Sequence, residues 1–522
     1  MRGKSRVALS VAALACFSFL STVSGLSEPL MYTGLSNYTF PEEFIFGVAT
    51  SAYQIEGGWN LGGKGESMWD THLHKYPNYT VDGSNADIAA DSYHLYKEDV
   101  KMVQYLGLTY YRLSMSWPRL LPRGTDNYIS EDGKRYYRNV FEELLKANIT
   151  PVVTLFHWDL PTPLMDLGGW NNPRVVDYFE DYARVAFELF GDVVKIWTTM
   201  NEPHQHCYNG YGGTQFAPAL NAHGIGEYLC THYMLLAHAK AYHLYDKVFR
   251  PKQNGQIGIT LDSFWAEPKN ASDPEDVAAA ENYLQMHLGI YANPIFNGDY
   301  PDFVRQRVNN MSIQQGYTRS RLPYFSQEEV KMLKGSSDFF GLNHYASFLM
   351  SPCPGDEYNV PSMDHDTGVC LEQHPNWPKP GAVWFSVNPE GFRKLLNWVN
   401  DNYIKKNNMS IIVTENGLCD LGGLKDYARI SYHKKYLYQL LLAKNLDNIN
   451  IQGYFAWTLM DVFEWTDGYT SKFGLFHVDF ESPERTRTPK LSAQLYKQIV
   501  KTRQIDFEFL SPESSKYQSN KL

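Results

Sequence analysis

The chain has 522 residues, 43% hydrophobic and 20% charged, so a large core is available and intrinsic disorder is excluded as the dominant state. Its 47 Lys plus Arg against 57 Asp plus Glu give a net charge of −10, the wrong sign for a nucleic-acid partner. Aromatic residues reach 15%, and their flat faces suit sugar rings as well as cores.

Residues 1–25 read as a secretory signal peptide, with Arg2, Lys4 and Arg6 ahead of an apolar run at 7–20 and the small residues Ser24 and Gly25 behind it. That run is shorter than the ~20 residues a bilayer span needs, and the mature chain shows no other span. Residues 26–510 then read as one domain, and 511–522 as a polar C-terminal tail. Within the domain, short β-branched or aromatic runs alternate with amphipathic segments. The expected strands are 44–50, 108–115, 151–156, 194–200, 257–261, 338–343, 411–415 and 453–458. The expected helices are 91–105, 135–147, 175–190, 226–249, 277–291, 389–405, 427–443 and 490–502. Because the strands are apolar throughout, both faces are expected to be covered. Eight such pairs predict an α/β fold, a single (β/α)8 TIM barrel with long βα loops at the catalytic face.

Five cysteines follow the signal segment, an odd number; Cys353 and Cys370 flank a segment rich in Pro, Asp and Gly and are the candidate disulfide. Asn37, Asn78, Asn148, Asn270, Asn310 and Asn408 open Asn-x-Ser/Thr sequons, which fits secretion and N-glycosylation. No phosphate-cradling Gly-Lys-Ser/Thr loop and no His-Glu-x-x-His pair occurs. His204, His206 and Cys207 are too loosely spaced to predict a metal site, so neither metal nor cofactor is expected.

The expected strand ends carry the chemistry: Arg112; His157 and Trp158; Asn201 and Glu202; Asn343 with Tyr345 beyond; Glu415; and Trp457 with Glu464 and Trp465 further on. Glu202 and Glu415 stand at matched positions on strands four and seven. A carboxyl pair at a barrel mouth is what glycoside hydrolysis needs, provided the two pKa values are pushed apart. Arg112 would hold Glu415 ionised, and the anion would favour a proton on Glu202.

Three stretches carry a resemblance. Residues 44–58, FIFGVATSAYQIEGG, resemble the first signature of glycoside hydrolase family 1, the retaining β-glucosidases; TMNEP at 199–203 resembles its acid/base motif; IIVTENGLC at 411–419 resembles its nucleophile signature. The likeness runs from about residue 40 to 502, and FHWDLP at 156–161 is similar to secreted animal members. It implies a two-step hydrolysis of terminal β-D-glucosides, with Glu415 as nucleophile and Glu202 as acid/base. It implies Asn201 at the sugar 2-hydroxyl, and Gln54, His157, Trp457, Glu464 and Trp465 around the sugar. Arg112 and Tyr345 would orient Glu415. Glu464 would accept from sugar hydroxyls and repel a 6-phosphate. One departure is Val462, where the family usually has Asn before Phe-Glu-Trp, which puts the setting of Glu464 and Trp465 in question. The alternatives are a thioglucosidase acting on glucosinolates, which in plants replaces the acid/base Glu by Gln, and an inactive sugar-binding protein on the same scaffold. The expected partner is a small β-glucoside.

Overall fold

Eight runs of β-branched and aromatic residues pair edge to edge in the computed structural model, which describes residues 38–353 and 360–510. They are β1 (Ile45–Ala49), β2 (Tyr110–Ser114), β3 (Thr150–Phe156), β4 (Ile196–Asn201), β5 (Gln256–Asp262), β6 (Phe340–Asn343), β7 (Ile411–Asn416) and β8 (Ile451–Trp457). All neighbours are parallel, and β8 closes on β1 through Ile45↔Gly453 to Ala49↔Trp457, so the sheet is a complete barrel in sequential order. Closure removes both sheet edges, and helices cover the outer faces. The signal segment, Asn37 and the C-terminal tail lie outside the described residues.

The helices form where a cap meets an apolar stripe. In Glu131–Lys146, the Ser130 hydroxyl accepts from the Gly133 amide (3.0 Å) and Glu131 and Asp132 occupy the positive first turn. Its buried face is Tyr136, Tyr137, Val140, Phe141 and Leu144, a three-to-four-residue spacing. Each such burial contributes roughly 1.5–3 kcal/mol. Ser92–Leu106 ends at Gly107, whose φ of 72° closes the last turn at no Cβ cost. No helix among the described residues is long and apolar enough to cross a membrane.

The structure adds elements absent from the sequence reading. Between β5 and β6 lie Asp302–Gln314 and Gln327–Leu333 as well as the expected helix. A three-stranded sheet of Trp265–Pro268, Ser347–Pro352 and Val369–Glu372 stands over the barrel loops. Cys353–Cys370 staples the last two of these strands, and Cys207–Cys230 ties the loop after β4 to the helix Gly226–Leu244. Cys419 is buried and free. Asn78, Asn148, Asn270, Asn310 and Asn408 are all exposed.

At the far end of the chain, the helix Leu491–Thr502 is pinned to the segment after β8 by a fully buried Lys490–Asp461 ion pair (2.7 Å). Burial alone would raise the Asp461 carboxyl, but Lys490, His477 and Arg429 bring it down to about 2.

Candidate active site

Register puts the polar residues at one level. Asp262 of β5 is the Cα partner of Asn343 of β6, and Asn343 is the partner of Glu415 of β7. The ladder slips between Val413 and Glu415 and again between Thr198 and Asn201, immediately before each carboxylate. Such irregularities bend a strand and re-aim its side chain. Glu202 itself takes a left-handed φ of 44°, which swings it out of the β4 line before the short helix Pro203–His206. A non-glycine residue there costs on the order of 1–2 kcal/mol, held by the surrounding structure.

The two carboxyls line one cavity of about 330 Å³ at the C-terminal ends of the strands. Their hydrogen-bond environments differ. Arg112 Nη1 donates to Glu415 Oε1 (2.5 Å) and the Tyr345 hydroxyl donates to Oε2 (2.7 Å). The other Arg112 nitrogen, Nη2, donates to Asn201 Oδ1 (2.7 Å). Glu202 accepts from Asn343 Nδ2 (2.7 Å), which also reaches Asn201 Oδ1 (3.2 Å), whereas the guanidinium of Arg112 pairs with Glu415. Thr414 fixes the same amide by donating to Asn343 Oδ1 (2.7 Å).

Burial pushes both carboxyls up from the ordinary carboxylate range. For Glu415 that push is opposed by Arg112, Tyr345 and Asn343. For Glu202 it is reinforced by Asp262 and Glu415, and the carboxyl rises well above its usual value. The neighbours of Glu202 therefore favour its protonated form more than those of Glu415 do.

A second group of residues forms a polar and aromatic wall of the cavity. Gln54 Nε2 donates to the Phe463 carbonyl (2.9 Å) and to Glu464 Oε2 (3.2 Å), while Ser51 holds Gln54 Oε1 (2.6 Å). Val462 is fully buried and packs as core, and Glu464 and Trp465 line the cavity beside it. His157 lies between Trp457 (5.9 Å, 18°) and Trp465 (6.0 Å, 17°) and accepts from Asn201 Nδ2 (3.2 Å). Burial, Arg112 and His206 push its imidazole well below the ordinary range, so it is neutral.

Glu202, Glu415, His157, Tyr345, Trp457, Glu464, Trp465 and Asn343 all line the cavity, and Gln54, Asn201 and Arg112 support them from beneath through the hydrogen bonds above. Trp170 and Trp197 are fully buried; Trp158, at the end of β3, belongs to the same buried cluster and also lines the cavity, its ring 4.5 Å from Trp465. Asp262, Phe264 and Trp384 also line it and were missed. Asp262 ends the run Ile-Gly-Ile-Thr-Leu-Asp of β5, so the strand-end rule applied to the other strands would have found it.

His206 packs against Phe156 and Trp158, and Cys207 is in a disulfide. A different trio, His204, Asp262 and His287, brings its ligand atoms within 4.8 Å of one another. The His204 and His287 rings are stacked (3.6 Å, 25°), so their in-plane lone pairs do not converge on a common ion.

The sequence profile "Glycosyl hydrolase family 1" matches residues 36–505. Myrosinase 1 of Brevicoryne brassicae is 45% identical over 467 residues, 89% of this chain and 99% of that protein. The cytosolic β-glucosidase of Cavia porcellus is 41% identical over 465 residues, 88% and 98% of the two chains. Among solved structures, a rice β-glucosidase mutant in a covalent complex with Glc superposes with a TM-score of 0.83 at 36% identity, covering 88% of this chain and 99% of that one. With the closed eight-stranded barrel and a profile match over most of its length, the chain belongs to glycosyl hydrolase family 1.

Proposed function

We propose that the protein is a β-glucosidase that works by double displacement with retention of configuration. The observation that carries this is the unequal setting of the two buried carboxyls: Glu415 held by a guanidinium and a phenol, Glu202 by an amide and two neighbouring anions. In the first step Glu415 attacks the anomeric carbon, the glycosidic C–O bond breaks, and the Glu202 proton passes to the leaving oxygen. In the second, Glu202 takes a proton from water, the resulting hydroxyl attacks the same carbon, and Glu415 is released. Asn201 bonds the sugar 2-hydroxyl. Gln54, Glu464 and His157 take other hydroxyls, and Trp457 and Trp465 offer ring faces. Glu464 as a hydroxyl acceptor disfavours a 6-phosphorylated sugar.

The test is the first-formed product of an aryl β-glucoside, followed by proton NMR before mutarotation. Retention gives β-glucose first; an initial α-anomer contradicts the two-step scheme.

A second reading is thioglucoside hydrolysis, favoured by the 45% identity to an aphid myrosinase. Retention of Glu202 fits leaving groups that need a proton, so O-glucosides are the preferred class. Entry to the secretory pathway is supported by two disulfides and by exposed Asn78, Asn148, Asn270, Asn310 and Asn408 in sequons, the proposed sites of N-glycosylation.

A further inference from the structure

The cavity has two sides. One is the wall of His157, Trp457 and Glu464, with Gln54 bonded behind Glu464. The other, across Glu202, is built from the ends of β5 and β6 and from the loops beyond. Asp262 belongs to that second side, next to the proton donor that meets the leaving group. Its carboxylate is buried, 7% exposed, yet lines the cavity. Oδ2 accepts from Gln205 Nε2 (2.8 Å) and is bonded to His287 Nε2 (3.0 Å), while Oδ1 has no protein partner.

Among the described residues, the basic side chain paired with Asp262 is His287, an ion pair only when its imidazole is protonated. None of the residues described as lining the cavity is Lys or Arg. Tyr208, which lines it too, donates to another carboxylate, Asp364 (2.7 and 2.8 Å). Burial pushes the nearby His204 imidazole well below its ordinary range, so it adds no charge. The apolar surface comes from Phe216, Phe264 and Trp384, the last two rings 6.0 Å apart. A partly buried anion among aromatic faces is a setting that attracts a cation and repels an anion.

We propose that Asp262 sets the charge preference of the leaving-group side, so that aromatic aglycones bearing a cation are favoured and anionic ones, sulfated thioglucosides among them, are discriminated against. This rests on Glu202 and Glu415 being the catalytic pair, because that assignment places the leaving group beside Asp262.

Three phenyl β-glucosides test it, bearing para aminomethyl, hydroxymethyl or carboxymethyl groups, at a pH where the amine is protonated and the acid ionised. The expected ratio of kcat/KM, cation over anion, is on the order of tenfold or more in the unaltered enzyme. It falls toward one in Asp262→Asn and is kept in Asp262→Glu. A ratio near one in the unaltered enzyme, or one unchanged in Asp262→Asn, overturns the proposal. Should that variant not fold, competitive inhibition of the unaltered enzyme by benzylammonium and phenylacetate reads the same preference. Weaker inhibition by phenylacetate supports it, and equal inhibition overturns it. Failure of the underlying assignment has a separate signature, a Glu415→Gln variant that hydrolyses these glucosides as fast as the unaltered enzyme.

Discussion

Arg112 and Tyr345 each give Glu415 a hydrogen bond that only the ionised carboxylate fully uses. Their contributions can be separated by pH. In the proposed scheme glycosylation requires Glu415 ionised, so activity is lost as pH falls through its pKa. Tyr345→Phe removes a donor that lowers that pKa, so the pKa rises and the acidic limb of kcat/KM moves to higher pH. The expected loss in kcat/KM at the plateau is roughly 10- to 100-fold, since one oriented donor at a reacting group is removed. A profile with an unmoved acidic limb contradicts the positioning role. At this scale much of the site was legible, because Glu202, Glu415 and Arg112 stand at the ends of recognisable apolar runs. Legibility stopped where a role depends on spatial neighbours. Asn343 bridging to Glu202 follows from the β5–β6–β7 register, which no short motif encodes. Trp158 is both core and cavity wall, a double role that its position after an apolar strand does not reveal. It reaches the cavity through a left-handed backbone (φ 71°) and an indole bond to the Asn201 carbonyl (2.8 Å).

Strands and helices follow the same division. All eight barrel strands were visible, since a strand covered on both faces must be apolar along its whole length. Boundaries moved by a few residues: the helix expected to begin at 135 begins at Glu131, because Ser130 caps it. The helices Asp302–Gln314 and Gln327–Leu333 were not read, and the first buries only Val304, Val308, Met311 and Ser312, a weak stripe. One pairing of the three-stranded sheet, Trp265↔Ser347, joins segments more than 80 residues apart, so local pattern could not reveal it. Cys207–Cys230 was missed because spacing alone does not pair five cysteines. Lys490 and Asp461 show how a remote element is fixed. Replacing Lys490 by Met leaves the buried Asp461 carboxylate with only His477 (3.3 Å) and Arg429 to offset its charge. A loss of about 3–5 kcal/mol in unfolding free energy is expected, read as a lowered denaturant midpoint at neutral pH. The sign of the pH dependence follows: Asp461 is depressed in the fold, so its stabilisation is present above the unfolded carboxylate pKa and fades as pH falls toward about 2. A Lys490→Met midpoint equal to that of the unaltered protein contradicts this.

For the whole molecule, closure of the barrel is what converts separate strand ends into one basin. Asp262, Asn343 and Glu415 share a level because β5, β6 and β7 are in parallel register, and Glu202 and Arg112 meet them across the mouth. The loops after β4, β5 and β6 then supply Phe216, Phe264 and Trp384 to the side proposed for the leaving group, and family membership leaves that part free to vary. The central claim is that Glu415 forms a covalent bond to the sugar. It is tested most directly by incubating the enzyme with an activated 2-deoxy-2-fluoro-β-glucoside, which slows release of the intermediate, and mapping the adduct by peptide mass spectrometry. The account predicts one fluoroglucosyl group per chain, carried by the peptide containing Glu415 and absent in Glu415→Gln. A label on another residue, or turnover of the reagent with no adduct at any time point, would contradict it.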